Sequence, residues 1–136
     1  MDKLTPQERS ENMRRIRSKG MEPELAVRSL VHRLGYRFRL HDKNLPGKPD
    51  LVFRSRCRVI LVHGCFWHQH SDPACKITRK PKSNKSYWAP KLRRNVRRDL
   101  ENAKALGNHG WKVLTVWECE TRDETLLSKR LRRFLG

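Results

Sequence analysis

The sequence predicts a single α/β domain, a small mixed β-sheet flanked by helices. Three observations predict it. Apolar residues recur at helical spacing in several separate stretches, while β-branched runs such as Val59-Ile60-Leu61-Val62 read as buried strands. The 136 residues are enough for one domain to bury a core without disulfides. No repeat, low-complexity tract or linker divides the chain, so 1–136 is expected to be one unit in the order α-α-β-β-β-α-β-α.

Taken in order, Thr5-Pro6-Gln7-Glu8 has the form of a capping box with proline at the first helical position. The helix that follows, to about Arg17, carries Arg9, Arg14, Arg15 and Arg17 but only Met13 and Ile16 as large apolar residues. So thin a stripe does not belong to a core. Residues 1–18 read either as an arm lying on nucleic acid or as a solvated terminus. A second helix opens at Pro23, with Val27, Leu30, Val31 and Leu34 on one face, and Gly35 ends it. Glu24 falls in its first turn, where a helix-dipole carboxylate is the ordinary reading.

Tyr36-Arg37-Phe38-Arg39-Leu40 alternates like a strand with one wet face. A turn-rich loop from Asp42 to Pro49 leads to a strand beginning at Asp50, and Arg54-Ser55-Arg56 turns it into the apolar strand Arg58 to Val62. In an antiparallel hairpin Asp50 then lies near His63. From about Pro90 to Leu106 a helix places Leu92, Val96, Leu100 and Ala103 on its apolar side, with Asn95 and Asp99 four apart on a shared face. Its other positions include Arg93, Arg94, Arg97 and Arg98, which suit phosphate contacts. Trp111 to Trp117 is the last strand. Thr121-Arg122-Asp123-Glu124 is a second capping box, opening a terminal helix with Leu126, Leu127, Leu131 and Phe134.

Charge narrows the partners. Lys and Arg number 32 against 14 Asp and Glu, a net charge of +18, and a field of that sign favours a polyanion, nucleic acid above all. An anionic membrane surface or an RNA-coating role are the plainer alternatives. No apolar segment approaches spanning length and no hydrophobic signal region opens the chain, which predicts a soluble, cytoplasmic protein with no membrane partner. No self-complementary apolar patch stands out, which predicts a monomer.

The chemistry concentrates in His63-Gly64-Cys65-Phe66-Trp67-His68-Gln69-His70 and on to Cys75. Cys65, His70, Cys75 and Cys119 together make a Cys3His set of the kind that closes around structural Zn2+. The alternative has Cys65 and Cys119 as buried thiols and Cys75 in solvent. Cys57, inside a strand pattern, is expected to be a core thiol. This allocation leaves His63 and His68 beside Asp50, and with a further carboxylate, Glu24 or Asp99, the group suits Mg2+-assisted phosphodiester chemistry. A histidine would take the proton from water or give one to the leaving oxygen. Phe66 and Trp67, adjacent on a polar loop, point in different directions and are poor core residues, so they read as a wedge.

With Pro49-Asp50, the HGCFWH string at 63–68, Tyr87-Trp88, Asn95-Val96-Arg97-Arg98-Asp99 and Val116-Trp117-Glu118-Cys119 in view, the chain resembles the very short patch repair (Vsr-type) endonucleases. Ser10-Glu11-Asn12-Met13-Arg14 resembles the family's N-terminal segment as well. The resemblance implies a restriction-endonuclease-like core with a structural zinc. It also implies a Mg2+-dependent nick 5′ to the T of a T:G mismatch in double-stranded DNA, such as arises from deaminated 5-methylcytosine. Mismatch-repair proteins and a methyltransferase are implied as partners. Residue by residue, it implies that Asp50 and the main-chain carbonyl of Val62 hold Mg2+, with valine where the family pattern has threonine. His63 and His68 match its catalytic histidines, His68 activating water. Glu24 and Asp99 match supporting carboxylates, and Cys65, His70, Cys75 and Cys119 match the zinc ligands. Phe66, Trp67 and Trp88 match wedging aromatics, and Met13, Arg14 and Asn95 join them as DNA contacts. The spacing from His70 to Cys75 is longer than in the family pattern.

Two other readings accompany the mismatch enzyme. One is a zinc-stabilised nucleic-acid-binding module without catalysis, the other a nuclease of the same fold with broader mismatch specificity. Asp50, Glu24 and Asp99 separate the first of these, because carboxylates near phosphates oppose plain binding.

Overall fold

A computed structural model describes residues 22–72, 74–75 and 85–136. The N-terminal helix expected before Arg17, with Met13 and Arg14, lies outside the described residues. Among the described residues, three helices and four strands run in the order α1 (Glu22–Arg33), β1 (Arg39–Leu40), β2 (Leu51–Phe53), β3 (Arg58–His63), α2 (Lys85–Asn108), β4 (Lys112–Trp117) and α3 (Glu124–Leu135). The strands form one mixed sheet in sequence order, antiparallel from β1 to β3 and parallel between β3 and β4. This is the small α/β architecture expected, and it fits a restriction-endonuclease-like core. No helix of the described residues is long and apolar enough to cross a membrane.

Strand alternation sorts the side chains onto two faces. Leu51, Phe53 and Ile60 face α1 and α3, where Val27, Leu30, Val31, Leu127, Leu131 and Leu135 complete one buried cluster. Val52 and Val59 point the other way and bury Leu106 of α2. His63, in phase with Val59, thereby turns toward the α2 side of the sheet.

Several boundaries differ from the sequence expectation. The Tyr36 to Leu40 strand shrinks to Arg39–Leu40, both exposed, because β2 offers only three residues to pair with and β1 is an edge. Cys57 is not a core thiol. It is exposed, at φ +52, in the turn that closes Arg54–Arg56 by a bond from its N–H to the Arg54 carbonyl. Helix α2 starts at Lys85, so Pro90 sits inside it, where the proline forfeits one backbone bond. Trp88, in that extra turn, packs against Phe66 and Trp67 with ring centroids 5.8 and 5.7 Å away.

The buried stripe of α2 also rotates. Leu100 is 68% exposed while Leu106 is fully buried. The inward spacing runs 92, 96, 99, 103, 106, which gives Asp99 the place expected of Leu100. Helix α3 is capped by Asp123, whose carboxylate accepts from the Leu126 N–H, two residues past the expected Thr121. Leu126 is exposed and Leu135 takes its place in the core.

Candidate active site and metal centre

The hairpin of β2 and β3 builds the first part of the site. Its register pairs Leu51 with Ile60, so Asp50 stands one step beyond, and its Oδ2 accepts the Val62 N–H at 2.7 Å. Asp50, Val62, His63, His68 and Asp99 line one cavity. This places the strand-end carboxylate, both histidines and the α2 carboxylate together, as the hairpin geometry had led one to expect for Asp50 and His63.

The two imidazoles stack face to face, centroids 3.9 Å apart and 7° from parallel. Asp99 Oδ2 lies 2.5 Å from His68 Nδ1; an ionised carboxylate only accepts, so Nδ1 donates in this bond and Nε2 is the ring nitrogen turned away from Asp99. His63 is 8% exposed, and its Nδ1 has no partner among the described residues. Burial, then the neighbouring His68, brings the His63 pKa down to about 4, so this ring is neutral at pH 7.

The carboxylate pair is set by its neighbours. Burial raises the Asp50 pKa to about 7, aided by Glu24 and opposed by the Val62 N–H. For Glu24 burial also pushes upward, but its bonds to Asp50 and His41, with the charge of Arg28, leave it below the ordinary carboxylate value. In the absence of a cation the two groups therefore tend to share a proton. A divalent ion would keep both ionised, which is the donor chemistry a nuclease metal uses.

The second cluster grows from the parallel pairing of β3 and β4. His63 lies opposite Trp117, so Cys65 and Cys119 each come two residues beyond a matched pair, at the carboxyl ends of adjacent strands. The Cys119 N–H reaches Cys65 Sγ at 3.4 Å. His70 Nδ1 stands 3.4 Å from Cys119 Sγ and 3.7 Å from Cys65 Sγ. With Cys75, the four ligand atoms lie within 4.8 Å of one another. A tetrahedral Zn2+ with bonds of about 2.0–2.3 Å spaces sulfur from nitrogen by about 3.6 Å, so the set is compatible with zinc. Burial, then the neighbouring cysteines, pushes the Cys65 thiol up to about 12, and Cys119 is raised for the same first reason. Thiols gathered this closely become thiolates together only around a cation.

One loop serves both clusters. Cys65 and His70 supply the thiol-imidazole set, and Phe66, Trp67 and His68 project between them. Asn95 donates to the Trp67 carbonyl at 3.0 Å, and Asp99, one turn further along α2, takes His68. The contact seen for Asn95 is thus to the aromatic loop. Trp117 stacks on His70 at 4.2 Å and meets His63 edge-on at 5.2 Å, joining the two centres. Phe66, Trp67, Tyr87 and Trp88 form a connected aromatic group with Trp67 and Tyr87 about half exposed.

Three polar residues at this site are absent from the sequence expectation. His41 Nε2 lies 2.8 Å from Glu24 Oε1, and Lys48 and Asn102 line the cavity. Histidine just after a strand that pairs beside Asp50 was the available signal for His41. Asn102 is signalled by the 95, 99, 102 spacing on α2.

Comparison with known proteins follows the same lines. The family model described as DNA mismatch endonuclease Vsr matches residues 1–74. The chain is 52% identical over 134 residues to the type II nicking enzyme V.XorIIP of Xanthomonas oryzae pv. oryzae, covering 98% of this chain and 96% of that one. It is 40% identical to the type II nicking enzyme V.NmeAIP of Neisseria meningitidis, over 98% and 94% of the two chains. It is 39% identical to the DNA mismatch endonuclease Vsr of Escherichia coli, over 93% of this chain and 78% of that one. These likenesses set aside the reading as a binding module without catalysis. A nuclease of this family implies a divalent metal, for which Asp50 and Glu24 offer oxygen donors. The chain therefore belongs to the Vsr family of DNA mismatch endonucleases.

Proposed function

We propose that this endonuclease nicks one strand of double-stranded DNA 5′ to the T of a T:G mismatch, with Mg2+ as the catalytic ion. Its place would be the very short patch repair of deaminated 5-methylcytosine, alongside mismatch-repair proteins. The observation that carries the reading is the shared cavity of Asp50, His63, His68 and Asp99, with the His68 ring held by Asp99.

Asp50 and the Val62 carbonyl would hold Mg2+, with Glu24 nearby. When bound, the ion supplies charge neutralisation at the scissile phosphate. His68 Nε2 takes a proton from the attacking water while Asp99 holds Nδ1–H and stabilises the imidazolium that forms. His63, neutral and stacked on His68, keeps water from that face of the ring. Cys65, His70, Cys75 and Cys119 would hold structural Zn2+ and so fix the loop that carries His68. Phe66, Trp67 and Trp88 would enter the base stack at the mismatch, exchanging base stacking for stacking on protein. Met13 and Arg14 would add contacts from the N-terminal segment. Asn95 acts by holding the Trp67 carbonyl.

The test is nicking of a strand-labelled duplex with one T:G mismatch, beside matched duplexes and the other mismatches, in Mg2+ or in EDTA. A Mg2+-dependent nick next to the mismatched T alone is expected. Equal cutting at several mismatches would replace the specificity, and cutting in EDTA would remove Mg2+.

A further inference from the structure

Beside the cavity, Glu24, His41 and Asp50 come together from α1, the end of β1 and the start of β2. The His41 N–H bonds to the Asp50 carbonyl at 3.3 Å, continuing the β1–β2 pairing by one residue, and φ of +49 swings the chain there. Each carboxylate has one oxygen already committed: Asp50 Oδ2 to the Val62 N–H and Glu24 Oε2 to Arg28. The remaining oxygens face His41, whose Nε2 is 2.8 Å from Glu24 Oε1 and 3.8 Å from Asp50 Oδ1. The three residues can offer ligand atoms all within 4.8 Å of one another. An ion with bonds of about 2.1 Å separates neighbouring ligands by about 3.0 Å in octahedral and 3.4 Å in tetrahedral geometry, between the two observed spacings. Two carboxylates balance a divalent charge, and the His41 side chain, 46% exposed, leaves the ion reachable from solvent.

We propose that Glu24, His41 and Asp50 form a transition-metal site in which His41 Nε2 is a direct ligand, shifting the preference of this endonuclease from Mg2+ toward Mn2+ or Co2+. Mg2+ favours oxygen and binds poorly to a site that spends one position on nitrogen. Later divalent ions accept imidazole readily and follow the Irving–Williams order. The inference rests on the proposed function in so far as Asp50 serves the catalytic ion there, and it adds that later divalent ions bind this site more tightly than Mg2+ does.

The alternative is that His41 merely orients Glu24 through their hydrogen bond, and the experiment separates the two. Full-length protein with its thiol cluster zinc-loaded is titrated with Mn2+, followed by electron paramagnetic resonance, with and without competing Mg2+. Pulsed measurements on the bound Mn2+ read directly bonded 14N. The variant is His41→Gln, whose amide still reaches Glu24 but carries no imidazole nitrogen. The expected result is 14N coupling in the wild type, its loss in His41→Gln, and Mn2+ binding about tenfold or more weaker in the variant, while Mg2+ affinity moves by less than about threefold. Coupling that survives in His41→Gln, or Mn2+ affinity equal in the two proteins, would overturn the proposal. Mismatch nicking by the wild type in Mg2+ is read separately; its absence would sink the proposed function and leave the Mn2+ titration to decide this site.

Discussion

Asp99→Asn removes one charge and almost no volume from the bond that holds His68. The wild-type carboxylate accepts from Nδ1 at 2.5 Å and is only 19% exposed, so this is a charge-assisted bond in a partly dry setting. Such a bond makes a net contribution of about 1.5–3 kcal/mol after exchange with water. The asparagine amide can also turn its NH2 toward Nδ1, moving the imidazole proton to Nε2 and blocking the position that would receive the proton from water. Together the two effects amount to about 3–5 kcal/mol at the transition state, a fall of about 10²- to 10⁴-fold in the nicking step. The assay is single-turnover nicking of a T:G duplex with enzyme in excess, with DNA affinity measured separately by fluorescence anisotropy. Affinity should stay near wild type, because Asp99 faces His68. A rate within threefold of wild type, or a loss of affinity that accounts for the lost rate, would refute the assignment of His68 as base.

Asp50→Ala should abolish Mg2+-dependent nicking while DNA binding stays equal or becomes tighter, since a carboxylate near phosphates is removed; undiminished cleavage would take Asp50 out of the mechanism. Cys119→Ser should lose about one Zn2+ per chain and much of the folded population, because apparent zinc-binding energies of about 10 kcal/mol or more feed directly into folding. A metal-free wild type by elemental analysis would defeat that expectation. Because Asp50 titrates near 7 without a cation, divalent binding must expel its proton below that pH. Affinity should therefore weaken by up to about tenfold per pH unit as pH falls from 7 to 5.5 and level off above 7, read by calorimetry. A flat profile would detach Asp50 from the ion. His63, at about 4 in the fold against 6.5 in the open chain, takes up its proton in the unfolded chain before the folded one as pH falls. Its contribution is complete above 6.5 and is lost toward pH 4 at about 1.4 kcal/mol per pH unit. The opposite contribution of Asp50 in that window is common to both proteins when wild type is compared with His63→Asn by urea unfolding, so on going from pH 7 to pH 5 the variant should change in stability by about 2 kcal/mol more favourably than the wild type. An unchanged difference between pH 7 and pH 5 would show that His63 is not buried as a neutral ring.

What the sequence determined by itself was the set of local patterns and the donor types. Period-2 and period-3.6 spacing located the hairpin, the three described helices and the last strand, because each pattern reflects which side chains must leave water. The density of ligands and aromatics between His63 and Cys75 was legible for the same local reason, as was the meeting of Asp50 and His63 across a short hairpin. Tertiary structure decided the rest. Parallel pairing of β3 with β4, which no local pattern specifies, brings Cys119 beside Cys65. Packing rotates α2 so that Asp99 points inward and Leu100 outward, since Asp99 gains His68 there while leucine at 100 lies at the margin of the buried stripe. Cys57 leaves the core because the hairpin bends at it. His41 becomes a neighbour of Glu24 and Asp50 only when α1 docks beside the β1–β2 edge, a contact across 17 residues of chain that spacing alone does not reveal. Periodicity reports which way a side chain faces within its own element, and only docking of the elements reports what it then meets.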